Sequence, residues 1–249
     1  MISNAEIKRV RSLAQKKYRD MYGLFTVEGE KLVDEALRSG FQVENVYRKD
    51  EIGEEAMSRI TMLSSPSPVL AVVRKPDNTG IAGEDLHSVI GRKGLYLGLD
   101  IIRDPGNLGT IVRIADWFGV DAVLAAYGTA DIFNPKTVQA TMGAVFRVRF
   151  VYTDLKAAAK TVIDRGGQVY GTFMDGKNIY RTELKTGEDC PVMVITGNEA
   201  DGISPEISET VSERIAIPPY PAGDSGSESL NAAVATAVTV AEFRRLSLY

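Results

Sequence analysis

"GLYLGLDIIRDPGNLGTIVRIADWFG" occupies residues 94–119 and decides the fold class. Residues 94–102 are almost continuously apolar, as in a strand covered on both faces of a parallel sheet. Asp104, Pro105, Gly106 and Asn107 then mark a turn. Beyond it Leu108, Ile111, Val112, Ala115 and Phe118 recur at helical spacing. Arg113 stands inside that apolar pattern, where a structural ion pair is the plain reading.

The alternation continues downstream. "AVLAA" reads as a strand, and "NPKTVQATMGAVF" as a helix with Pro135 in its first turn. "RVRFVY" is a strand, "DLKAAAKTVIDRGG" a helix stopped by two glycines, and "QVYGTFM" another strand. "PVMVITGNE" (191–199) is the strongest buried-strand pattern, "RIAIPP" (214–219) is a short strand, and a last helix covers about residues 228–245. Strands alternating with helices predict a parallel αβα sheet.

The N-terminal part also reads as α/β. One helix is expected over "NAEIKRVRSLAQKKYRD", capped by Ser3 or Asn4. "LFTVEG", "FQVENVYRK" and "PVLAVVRK" read as strands, "EKLVDEALRSG" and "EIGEEAMSRI" as helices. "SSPSP" (64–68) is a loop and "KPDNTG" (75–80) a linker, which places the domain boundary within 75–92. The expected domains are 1–80 and 92–249.

Composition narrows the chemistry. The 249 residues are 44% hydrophobic and 25% charged, against general disorder. A single cysteine, Cys190, excludes an intrachain disulfide and an all-cysteine metal site; a single histidine, His87, argues against a zinc centre or a histidine triad. No metal is expected. The N-terminus lacks a secretory pattern and no run approaches a membrane span, so a soluble, cytoplasmic protein is the default. GxGxxG, GxxxxGK[ST] and GxSxG are all absent. The net charge is −4, yet Lys8, Arg9, Arg11, Lys16, Lys17 and Arg19 form a basic cluster. It reads either as a solvated helix face or as a phosphate-contacting surface.

Three strand ends carry the polar residues. The first is "DIIRDPGNLG". The second is "VITGNEADGI", where Glu199 caps a loop or touches a ligand. The third is "IAIPPYPAGDSGSESLN", where Ser229 and Asn231 flank Leu230 at the start of the last helix. Open α/β sheets bind ligands outside the carboxyl ends of their strands.

These three segments, with "NPKTVQATMGAVFRV" between the first two, closely resemble the motifs of the SpoU, or TrmH-like, family of RNA 2′-O-ribose methyltransferases, over residues 95–245. The opening "RSLAQKKYRDMYGLFTVEGEKLVDEAL", with Phe25, Glu28 and Gly29, resembles that family's accessory domain. The resemblance implies an L30e-like substrate-binding domain followed by a methyltransferase domain with a C-terminal trefoil knot. It implies S-adenosyl-L-methionine as cofactor, held by Gly197, Ile217 and Leu230, with Thr172, Thr196, Pro218 and Ser229 as neighbours. It implies Arg113 as the leading catalytic residue, with Asn107, Glu199, Ser229 and Asn231 in support. It further implies a homodimer through the knotted domain and structured RNA as substrate, ribosomal before transfer RNA. A non-catalytic RNA-binding protein of the same fold is the alternative. Asp116, Trp117 and the Gly/Ser-rich "AGDSGSES" depart from the usual family pattern.

Overall fold

The computed structural model describes residues 2–76, 85–198, 200–221 and 229–248. Contacts divide the chain into two compact units, Met1–Asp77 with Asp131–Arg147, and Asn78–Ala130 with Val148–Tyr249.

The first unit begins with α1 (Asn4–Ser12) and α2 (Lys16–Tyr22), followed by β1 (Leu24–Glu28), α3 (Glu30–Arg38) and β2 (Val43–Arg48). The short α4 (Lys49–Ile52) and α5 (Glu54–Ile60) then lead to β3 (Val69–Arg74). Ser3 caps α1 by accepting from the Glu6 amide. The single helix expected over residues 4–20 is instead two, because the chain leaves helical geometry at Gln15. The strands form an antiparallel sheet in the order β1-β3-β2. Ile7 and Val10 of α1, with Leu13 just past its end, pack with Met57 and Ile60 of α5 over Leu24, Leu70 and Val72 of that sheet.

Glu28 ends β1 in the interior. Its carboxylate accepts from Thr61 Oγ1 at 2.6 Å and from the Met62 amide at 2.5 Å, which pins the loop after α5. Burial pushes the Glu28 carboxyl above its ordinary value.

Asp131–Arg147 completes this unit from far along the sequence. Phe25 lies 4.6 Å from Phe133, centroid to centroid, and near Phe41 and Phe146. Arg19, only 1% exposed, donates to Asp131 Oδ2 at 2.6 Å and to the carbonyls of Leu13 and Ala14.

The second unit holds α6 (Leu86–Val89), β4 (Gly94–Asp100), α7 (Pro105–Trp117) and β5 (Ala122–Ala126). The crossover through α8 (Pro135–Thr141) and a 3-10 turn (Ala144–Phe146) belongs to the first unit. The second unit resumes with β6 (Phe150–Thr153), α9 (Leu155–Asp164) and β7 (Gln168–Asn178). It ends with β8 (Pro191–Gly197), α10 (Pro205–Ser208), β9 (Glu213–Ala216) and α11 (Ala232–Leu248). Six strands align in the order β6-β5-β4-β8-β7-β9, every pairing parallel. The parallel sheet is as expected, and β4 and β8 are buried along almost their whole length. The first of these strands is shorter than its apolar run, because Ile101 turns into the left-handed region at φ 56°. The last helix starts at Ala232, later than the expected 228.

His87 lies exposed in α6, where Arg165 donates to its carbonyl and to that of Ile90. No helix among the described residues is long and apolar enough to cross a membrane.

Arg19 is buried with one carboxylate partner, so removing that partner strands a charge. Asp131→Ala is expected to cost about 3–5 kcal/mol of stability, measurable by chemical denaturation.

Candidate active site at the carboxyl edge of the parallel sheet

The strand order reverses between β4 and β8, since β5 and β6 extend to one side and β7 and β9 to the other. A crevice at such a reversal is where open α/β sheets take ligands. The two central strands end in register, with Asp100 beside Gly197. The first and second motifs therefore leave the sheet side by side.

Hydrogen bonds tie the motifs together. Asp100 is buried, and its Oδ2 accepts from the Ser204 amide at 2.6 Å, linking the first exit to the loop after β8. Thr236 on α11 donates to the Ala232 carbonyl and lies 3.2 Å from Thr196 Oγ1 on β8, joining the third motif to the second. Asn231 Nδ2 donates to Asn107 Oδ1 at 3.0 Å, joining the third to the first. Asn231 Oδ1 also accepts from the amides of Ala233 and Val234, so the same side chain caps α11. Asp104 does the equivalent for α7 by accepting from the Asn107 amide.

The loop after β8 turns on a close backbone approach. A Cβ at Gly197 would lie 2.0 Å from the Gly202 carbonyl carbon, and Gly202 itself takes φ +67°. Asn198 is buried and its Oδ1 accepts from the amides of Ala200 and Asp201. Gly197 and Gly202 thus bring two stretches of backbone into close approach at the end of the central strand.

The residues singled out from the sequence fall as follows. Asn107 and Asn231 are in direct contact. Thr196 and Gly197 are buried at the tip of β8, and Thr172 donates to the Ile195 carbonyl at 3.2 Å from the neighbouring strand. Ile217 and Pro218, just past β9, are half-buried. Ser229 and Leu230 are exposed immediately before α11, Leu230 by 48%. Arg113 is exposed on α7 and, among the described residues, makes no ion pair or hydrogen bond, contrary to the structural ion pair. Glu199 and residues 222–228, most of the Gly/Ser-rich approach, lie outside the described residues.

Asp100 and Thr236 were not singled out in the sequence. An acid closing an otherwise apolar strand is a usable signal for Asp100. Thr236 in an alanine- and valine-rich helix gives none, because its partner lies 40 residues away.

Thr110, Arg113 and Trp117 share the exposed stripe of α7 at helical spacing. Trp117 is 84% exposed. On α11, which packs against α7, Val234 is 49% exposed. Among the described residues no cluster of three or more histidine, cysteine or acidic side chains has metal-binding geometry.

Residues 94–241 match the SpoU rRNA Methylase family, and residues 4–75 match the MRM3-like substrate binding domain. A 23S rRNA (guanosine(2553)-2′-O)-methyltransferase, RlmP of Bacillus subtilis, is 34% identical over 256 aligned residues, covering 97% of this chain and 96% of that protein. A solved TrmH-family structure from Porphyromonas gingivalis superposes with a TM-score of 0.83 at 35% identity, covering 99% of each chain. An S-adenosylmethionine-bound rRNA methyltransferase from Sinorhizobium meliloti gives 0.82 at 30% identity, covering 100% of this chain and 97% of that one.

Two substitutions probe the junction. Asn231→Ala removes the cap of α11 and its bond to Asn107; a loss of about 0.5–2 kcal/mol is expected from the cap alone, read by thermal melting. Gly197→Ala forces the Gly202 backbone away, so cofactor affinity measured by calorimetry should collapse even where the variant remains folded.

With both parts of the chain matched and three motif exits hydrogen-bonded at one sheet edge, this protein belongs to the SpoU rRNA methylase family.

Proposed function

We propose that the chain transfers the methyl group of S-adenosylmethionine to a ribose 2′-hydroxyl of ribosomal RNA. The observation that carries this reading is the junction of the three motif exits through Asn107–Asn231, Thr196–Thr236 and Asp100–Ser204. Ribosomal RNA is favoured over transfer RNA because the B. subtilis rRNA enzyme aligns across both units of this chain. RNA rather than DNA follows from the acceptor, which DNA lacks. The working compartment is then the cytoplasm.

The residues present fit the cofactor. Half-buried Ile217 and Pro218 and exposed Leu230 offer apolar surface to a purine ring. Gly197 contributes backbone without a side chain. Thr172, Thr196 and Ser229 would offer it hydroxyls. Bound there, S-adenosylmethionine supplies a methyl carbon on a positively charged sulfur. The C-terminal segment from β8 through α11 would form the trefoil knot of the family and close around it.

Arg113 is assigned the substrate. A guanidinium stays protonated throughout the working pH range, so it serves poorly as a base. Its planar fork instead holds a phosphate of the RNA and stabilises negative charge developing on the ribose oxygen as its proton passes to water. Asn107 and Asn231 fix the starts of α7 and α11, and Ser229 orients the ribose or cofactor by hydrogen bonding. The exposed apolar Trp117 and Val234 support a homodimer through this face, in which a partner copy covers them and helps complete the site around Arg113.

Arg113→Lys keeps the charge and loses the fork. Its kcat on ribosomal RNA should fall by about 100-fold or more while cofactor affinity is retained. Single-turnover methyl transfer and calorimetry check the two halves; near-normal turnover would remove Arg113 from the chemistry.

A further inference from the structure

The basic cluster of residues 8–19 divides in the structure. Arg9 is neutralised by Glu6 and Glu44, Lys16 by Asp20, and Arg19 by Asp131. Half of the cluster is therefore internal wiring of the first unit. Among the described residues, Lys8, Arg11 and Lys17 make no ion pair with a carboxylate, and all three are exposed.

Two of these survivors meet a fourth cation in one place. An open groove of about 770 Å³ runs beside α1 and α5, lined by Lys8, Arg11, Gln15, Tyr18 and Arg59 among others, with no acidic residue in its lining. Arg59 is exposed and, among the described residues, has no ion-pair partner. Arg11 Nη1 donates to the Thr61 carbonyl, which aims the guanidinium; the Glu28 carboxylate acts on that charge from the interior without forming an ion pair with it. The carboxylate of Glu28 lies in the interior and is already bonded to Thr61 and Met62. At one end Tyr18 stacks on Tyr22, with centroids 6.2 Å apart and planes at 18°. Lys17 Nζ sits 5.8 Å from the Tyr18 centroid.

We propose that this groove of the N-terminal unit holds a sugar-phosphate segment of the RNA substrate, Lys8, Arg11 and Arg59 contacting phosphates and Tyr18 offering a stacking face to an unpaired base. The chain carries net charge −4, so an anionic polymer is attracted only where positive charge is left unpaired locally. Small-molecule pockets are mostly apolar and enclosed, whereas this groove is open and cationic. Cations tracking a backbone beside an aromatic platform match the recognition of unpaired RNA. The assignment rests on the RNA methylation proposed above and names where the substrate is gripped away from the reacting ribose.

Lys8→Gln with Arg59→Gln tests it, since both side chains are exposed and make no ion pair among the described residues. The probe is ribosomal RNA from cells lacking this chain, titrated against full-length protein at several salt concentrations. The slope of log K against log salt should flatten by about 0.7–0.9 per residue, with affinity at moderate salt down by about tenfold. Melting temperature and S-adenosylmethionine affinity should be unchanged. Tyr18→Leu should weaken binding with no change in slope. An unchanged slope and affinity in the double variant, with wild-type methylation intact, overturns the groove and leaves the reaction standing. A wild-type chain that binds RNA through these residues yet transfers no methyl overturns the reaction and leaves the groove standing. Equal competition by polyglutamate of matched charge overturns the assignment to RNA in favour of an acidic protein partner.

Discussion

The constraint on which the site depends is that β4 and β8 are parallel neighbours ending at the same level, Asp100 against Gly197. Parallel pairing sends both chains out of the sheet in one direction. The following loops must then share a small space, and only certain residues allow it. Gly197 has no room for a side chain, and Gly202 sits at positive φ opposite it. Asp100 turns the crowding into a bond with Ser204. Ile101, β-branched yet at positive φ, carries backbone strain of about 1–3 kcal/mol at the neighbouring exit. Strained and side-chain-free backbone beside a ligand crevice is the local pattern that a small bound molecule would relieve or use.

Much of the second unit was legible because burial on both faces leaves a mark in sequence. The run 94–100 carries no charge before Asp100 and the run 191–197 carries none, and turn residues follow each. Asn107 and Asn231 were legible as polar starts of apolar helices, and those two side chains meet. What could not be read was pairing across distance. The strand order places β8 beside β4, although three strands intervene in sequence. Nothing local to Thr236 announces Thr196. The break at Gln15 was missed because residues 4–20 contain no glycine or proline and tolerate helix throughout, so nothing local marks it.

The basic cluster shows the same limit in electrostatic form. Composition counts charges, whereas only a fold assigns partners. Arg19 and Lys17 stand two residues apart and look equivalent as letters. One is buried against Asp131, 112 residues on, and the other is solvated. A guanidinium fits the buried role because its several donors can be divided between a carboxylate and two carbonyls. An ammonium, compact and strongly hydrated, is better left outside.

That sorting has a consequence for how an acidic protein handles RNA. Cations with a fixed carboxylate partner contribute little to a distant phosphate, because the pair is nearly neutral beyond a Debye length of about 8 Å. The local field of the first unit is therefore set by where its unpaired charges lie, not by a count of its cations. The charge on Arg113 is left over by the same rule in the second unit. It is displayed on α7 among Thr110 and Trp117, with neither an ion pair nor a hydrogen bond to another described residue. An isolated arginine costs nothing in desolvation while exposed, and its attraction for a phosphate strengthens once a bound RNA excludes water around it. Gripping the substrate by a handful of uncompensated cations, as proposed above, rather than by a broadly positive surface, would keep nonspecific RNA association weak and leave specificity to the simultaneous fit of more than one contact.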